Sequence, residues 1–217
     1  RAILKTMTLT QPSVGNLFVT YVDWDGYLKI YEAMTPNRVR ITYDRGRLEL
    51  MSPSPEHERL KSQLACVLDA VFVALNIDFV KGGSTTFKNQ LLDRGFEPDE
   101  CYWLTRFEVV ANVENIDSET GPFPDLGIEV DVTNSSANRM AIYAAFQVSE
   151  LWRYGQDRVL RCFELKDGVY QERERSCFLP SLTMAELQAF VEEGRDLLTS
   201  QLIRKAGEWA RNKREAT

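Results

Sequence analysis

In Leu126-Gly127-Ile128-Glu129-Val130-Asp131-Val132, two carboxylates stand two residues apart in an otherwise apolar run. Asp125 precedes that run, and Asp99 follows Pro98 earlier in the chain. The period is two, so Leu126, Ile128, Val130 and Val132 face one way while Asp125, Gly127, Glu129 and Asp131 face the other. Carboxylates gathered on a buried strand repel one another and lose hydration, which is costly unless a cation or hydrogen-bond donors compensate. A hard divalent cation is the simplest compensation, since magnesium binds through one or two carboxylates plus waters and substrate phosphates. Pairing with arginine, or an exposed sheet face, meets the same requirement, and the residues alone leave these readings open.

Other chemistries find little support. The chain has no GxxxxGK[ST] loop, no GxGxxG turn, no HExxH and no GxSxG elbow. His57 is the only histidine and no serine or cysteine signature accompanies it, which disfavours a Ser-His-Asp or Cys-His mechanism. His57 lies one turn ahead of Leu60 on an apolar stripe, where a satisfied core histidine is the plainer reading. Cys66, Cys101, Cys162 and Cys177 are scattered through apolar stretches, as expected of small hydrophobes in a reducing cytoplasm rather than of a zinc or disulfide framework.

The elements that must position the acids can be read from pattern. Trp24, Leu28, Tyr31 and Met34 are spaced for a short helix ended by Pro36. Arg38 to Tyr43 alternates, Asp44-Arg45-Gly46 turns, and Arg47 to Met51 returns, predicting a hairpin with one wet face carrying Arg38, Arg40 and Thr42. Ser54-Pro55-Glu56 is an N-cap, a first-position proline and a first-turn acid, so a helix starts at Pro55 with Leu60, Leu64, Val67, Leu68, Val71 and Leu75 as its stripe. Short strands follow around Phe79, Thr85 to Lys88 and Glu100 to Leu104. After the acidic strand, Ser135 or Ser136 caps a helix running to about Gln147, and Glu150 to Tyr154, Arg158 to Leu165 and Val169 to Arg175 read as strands. Thr183-Met184-Ala185-Glu186 is a capping box opening one long final helix that buries Leu187, Phe190, Val191, Leu198 and Ile203. Strands alternating with helices predict an α/β class with a mixed sheet.

The composition agrees: 217 residues, 44% hydrophobic, 27% charged. That is one large domain with a real core, read here as an extension over residues 1–22 and a domain over 23–217. The most apolar run, Val67 to Ile77, contains Asp69 and is shorter than the ~18 residues a membrane span needs. Residues Arg1 to Met7 lack a secretory pattern, and a cytoplasmic, membrane-free protein is expected. A net charge of −6 repels polyanions at long range, so nucleic acid requires a local basic patch. Arg204, Lys205, Arg211, Lys213 and Arg214 form one, although cations near a helix C-terminus also complement its dipole.

Five separated motifs, in order, carry a resemblance. They are Asp44-Arg45-Gly46-Arg47-Leu48-Glu49-Leu50-Met51-Ser52-Pro53 with Glu56-His57-Glu58, Glu97-Pro98-Asp99, Pro124 to Val130, Tyr143-Ala144-Ala145, and Glu150-Leu151-Trp152-Arg153-Tyr154. Over roughly residues 24–190 the chain resembles the Uma-type family of bacterial restriction-endonuclease-like proteins, within the PD-(D/E)xK nuclease superfamily. The resemblance implies a restriction-endonuclease-like mixed β-sheet core flanked by helices. It implies that Asp99 and Glu129 bind Mg²⁺ or Mn²⁺ with the main-chain carbonyl of Val130, and that Glu56 or Glu58 supplies a further acid.

The lysine expected two residues after Glu129 is Asp131 here. Many relatives look as if they carry it on the next helix, four residues before a tyrosine; with Tyr143 as that tyrosine, the position is Arg139. A guanidinium clamps phosphate and stabilises charge but does not act as a general base. The resemblance thus implies a metal-dependent DNA endonuclease in which a metal-activated water attacks and Arg139 steadies the developing charge. A homodimer could bring two sites to two strands. The alternatives are an inactive endonuclease-fold module that binds DNA or protein, favoured by the displaced lysine, and a hydrolase of small phosphorylated molecules.

Overall fold

The computed structural model describes residues 16–34, 39–112, 117, 119–131 and 139–215. Pro36, Arg38, Val132, Ser135 and Ser136 lie outside the described residues. The Arg45-Gly46 turn, with both residues at positive φ, closes a hairpin between β2 (Arg40–Asp44) and β3 (Arg47–Met51). β1 (Asn16–Thr20) pairs antiparallel with β3, while β6 (Arg94–Phe96) joins β2 and β5 (Phe87–Asn89) joins β6. The helix α1 (Trp24–Met34) packs on this five-stranded sheet through Tyr27, whose ring stacks on Tyr43 at 4.7 Å beside Ile41 and Leu48.

A second sheet holds the acidic strand. Its order is β11 (Val169–Arg173), β10 (Leu160–Lys166), β9 (Glu150–Tyr154), β8 (Leu126–Val130), β7 (Glu100–Trp103) and β4 (Val80–Lys81). β8 and β9 run parallel, joined by a crossover containing α4 (Arg139–Ala145), and the other pairs are antiparallel. On one face Leu126, Ile128 and Val130 meet α2 (Pro55–Leu75), whose stripe from Leu60 to Phe72 is buried as its spacing predicts. Ser54 accepts from the His57 N–H at 3.1 Å to start α2, and Asn76, at a φ of 56°, ends it. On the other face Tyr143 of α4 and Phe146, in the turn just after it, pack with Phe87 and Phe96 of the first sheet.

The α/β class with a mixed sheet holds in the six-stranded sheet, and the structure departs from the sequence reading in finer points. Beside it the hairpin strands pair with β6 and β5 and build a separate, antiparallel sheet. The face read as wet is covered, with Arg40 and Thr42 both buried. The long final helix is two: the capping box opens α5 (Met184–Glu193), the chain turns from Gly194, and α6 (Thr199–Glu215) follows. Leu202, Ala206 and Ala210 supply the buried side of α6, leaving Leu198 and Ile203 exposed. Cys177 is likewise exposed. β6 and α3 (Phe107–Ala111) are short elements that sequence periodicity did not show. No described helix is long and apolar enough to cross a membrane.

Candidate functional site

Antiparallel pairing of Glu100 with Ile128 brings the start of β7 beside the end of β8, and with it Asp99 beside Glu129 and Val130. Asp99 grips β8 twice. Its N–H donates to the Ile128 carbonyl at 3.1 Å, and its Oδ2 accepts from the Val130 N–H at 2.6 Å. The Val130 carbonyl lies on the same strand edge as that N–H. Both Asp99 and Glu129 are buried.

Each acid carries its own cation. Arg40, reaching in from β2 of the first sheet, pairs through Nη1 with Asp99 Oδ1 and through Nη2 with Glu58 Oε1 at 3.3 Å. Arg139, the first residue of α4, donates from Nη1 to Glu129 Oε2 at 2.6 Å, while the Tyr143 hydroxyl one turn later donates to Oε1 at 2.5 Å. The i, i+4 spacing of Arg139 and Tyr143 aims both side chains at one carboxylate. Burial lowers the Arg40 pKa against the pull of Glu129 and Glu58. Burial opposes the charge of Arg139 too, yet Glu129 and Glu49 hold its pKa above the ordinary value. Tyr143 is raised well above the usual phenol range by burial and by Glu129, so it stays a donor.

His57, in the first turn of α2, places Nε2 3.0 Å from Asp99 Oδ2 and Nδ1 3.3 Å from Glu58 Oε1. Burial, reinforced by Arg40, lowers its pKa, which favours the neutral ring; a neutral imidazole donates through only one of the two nitrogens that Asp99 and Glu58 face.

Of the acids singled out by spacing, Asp99 and Glu129 meet, and the others do not join them. Asp125 faces the loop after β7, accepting from the Leu104 and Thr105 N–H groups at 2.8 Å each and from Arg106. Asp131 lies 3.4 Å from Arg153. Glu58 reaches the site's edge through Arg40 and His57, whereas Glu56 sits 4.0 Å from Arg195. Sequence reasoning missed Arg40, Glu49, Glu97 and the role of Tyr143. Glu49 is buried on β3, and Glu97 accepts from Thr86 at 2.9 Å with its pKa raised by burial. Arg40 and Glu49 lie in the hairpin, whose alternation cannot distinguish a solvent face from one turned toward a second sheet.

The donor set as arranged does not fit the divalent cation that the resemblance implies. Every oxygen of Asp99 and Glu129 already faces a protein donor, and two guanidinium groups lie against the pair. Among the described residues no three His, Cys, Asp or Glu side chains are grouped to hold a metal ion.

A family model described as "Putative restriction endonuclease", Uma2, matches residues 24–199. A crystal structure from Anabaena variabilis, described as that of a "putative nuclease", aligns with a TM-score of 0.53 at 14% identity, covering 70% of this chain and 90% of that one. At that identity the likeness shows the shared fold, restriction-endonuclease-like, and nothing finer. No match was found among curated proteins.

Proposed function

We propose that this chain, which belongs to the Uma2 family, is a cytoplasmic protein that acts on the phosphodiester backbone of DNA, with Asp99, Glu129 and Arg139 at its reactive centre. The observation that carries the reading is the meeting of Asp99 and Glu129 at neighbouring strand ends, with arginines from two different elements against them. The Arg139 Nε is buried and has no hydrogen-bond partner among the described residues, so the guanidinium retains a donor for an incoming phosphate oxygen. Arg139 would neutralise charge on the phosphorus oxygens, and Glu129, freed by that exchange, would take the proton of an attacking water as the new P–O bond forms and the P–O bond to the leaving sugar oxygen breaks, that oxygen taking its proton from solvent. Asp99, locked to β8 and oriented by His57, keeps the strand ends in place. A homodimer would present two such sites to two strands. No step is routed through Mg²⁺ or Mn²⁺, because the donor set does not fit one.

The test is cleavage of supercoiled and single-stranded DNA in EDTA, Mg²⁺ and Mn²⁺, with Asp99→Asn and Glu129→Gln purified identically. Cleavage by the parent that both variants lack supports the reading, and equal cleavage by all three proteins removes it. A second reading, a DNA-binding module without cleavage, is favoured by the arginines paired with both carboxylates and by Asp131 standing where a lysine was expected. It predicts DNA binding by the parent with no cleavage in any arm.

A further inference from the structure

The acid pair is neutralised from within the chain. We infer that Arg40 and Arg139 occupy the electrostatic place of a divalent cation at Asp99 and Glu129, so that this site is held together without a bound metal. Asp99 Oδ1 faces Arg40, and its Oδ2 lies 3.0 Å from His57 Nε2 and accepts from the Val130 N–H at 2.6 Å. Glu129 is closed by Arg139 at 2.6 Å and by a buried tyrosine hydroxyl at 2.5 Å. The two arginines come from different sheets' surroundings, one from β2 and one from the start of α4, so the neutralisation is built by the fold and not by one loop.

A dication placed on these carboxylates would lie beside both guanidinium groups, in surroundings where burial weakens screening. It would also strip partners from buried donors. Lysine in such a position could give up its proton to admit a cation, but arginine keeps its charge at every working pH. The inference concerns the same site as the DNA reading but is tested without DNA, so either can fail alone.

The experiment is titration of the whole protein with Mn²⁺, following the free-ion EPR signal, alongside thermal unfolding in Mg²⁺, Mn²⁺ and EDTA. The wild type is expected to leave the free-Mn²⁺ signal intact and to unfold at one temperature in all three. An Arg40→Gln/Arg139→Gln double variant is expected to deplete the signal and to gain roughly 5–10 °C at a hundredfold excess of Mn²⁺ over its Kd. Depletion by the wild type that Glu129→Gln abolishes overturns the inference, as does a folded double variant that ignores metal. Depletion that persists in both Glu129→Gln and Asp99→Asn puts the ion elsewhere and upholds it. The wild-type titration decides the question even if the double variant does not fold.

Discussion

Arg139 and Glu129 form an ion pair 2.6 Å long with both side chains almost wholly withdrawn from solvent. Removing one partner of such a pair strands a buried charge, which costs about 3–5 kcal/mol. Glu129→Ala is therefore expected to lose stability in that range, since it also orphans the Tyr143 hydroxyl. Replacing both partners together, as Arg139→Met with Glu129→Leu, is expected to recover most of the loss. Urea unfolding of the two single variants and the double measures the coupling, and simple additivity would mean that the pair does not act as a unit.

Gly127 has a different reason to be where it is. A Cβ built there would come within 2.6 Å of Tyr143 Cε1, so the ring that positions the hydroxyl on Glu129 lies close against bare backbone. Gly127→Ala is expected to cost about 1–3 kcal/mol by overpacking and to displace Tyr143 from Glu129. Gly127→Ala/Tyr143→Leu should be more stable than Gly127→Ala alone, as chemical denaturation will show if the clash with the ring is the cause.

Periodicity made β8 and α2 legible because each carries an unbroken apolar stripe at its own period. The strict alternation from Leu126 predicts the β8 core face, and Ser54-Pro55 predicts where α2 begins. The rest was hidden by geometry that pairs residues distant in sequence. Asp125 and Glu129 share a strand face in the alternation, yet Asp125 stands before the first paired residue of β8 and turns to the loop at Leu104. Arg40 looks like a solvent-facing residue of a hairpin until β7 and β8 are placed against it. The break before α6 is hidden because Leu198 keeps helical spacing from Val191 although the chain turns at Gly194. The position of Arg139 came from resemblance, and its place in a first helical turn, against the dipole, pointed to an acid such as Glu129 or Asp131 as its partner, of which the structure shows Glu129.

Acid sensitivity should track the junction of the last two helices. Lys213 of α6 donates to Glu186 at 2.5 Å, and Thr183 completes the capping box. With Lys213 as the largest cause and the Thr183 donors next, the Glu186 pKa is lowered from 4.5 to about 2. A folded-state pKa below the unfolded one contributes stability that is present above about 4.5 and lost as pH falls toward about 2. Both side chains are about one-third exposed, so the contribution stays below about 1 kcal/mol. Lys213→Met is expected to lower Tm slightly at pH 7 and to flatten the decline of Tm below pH 4.5, which a series of melts at stepped pH will measure; an unchanged acid limb would rule out Glu186 as a source of that decline.

Asp125 gives the sharpest separation of a structural acid from a site acid, because both kinds lie at ends of the same strands. Its Oδ2 satisfies two backbone N–H groups, of Leu104 and Thr105, and its Oδ1 accepts from the Thr105 hydroxyl at 2.9 Å and from Arg106. Burial would raise its pKa, but these donors hold it below the ordinary value. Asp125→Ala leaves two main-chain donors unpaired at the exit of β7, at about 1–3 kcal/mol for each that stays buried. The Asp99–Val130 contact lies at the opposite ends of β7 and β8 and is untouched. If the DNA reading holds, Asp125→Ala should lose several degrees of Tm yet keep its cleavage rate per folded molecule below the melting transition, whereas Asp99→Asn should lose cleavage at every temperature. Equal loss of cleavage in the two variants at a temperature where both are folded would return Asp125 to the functional site.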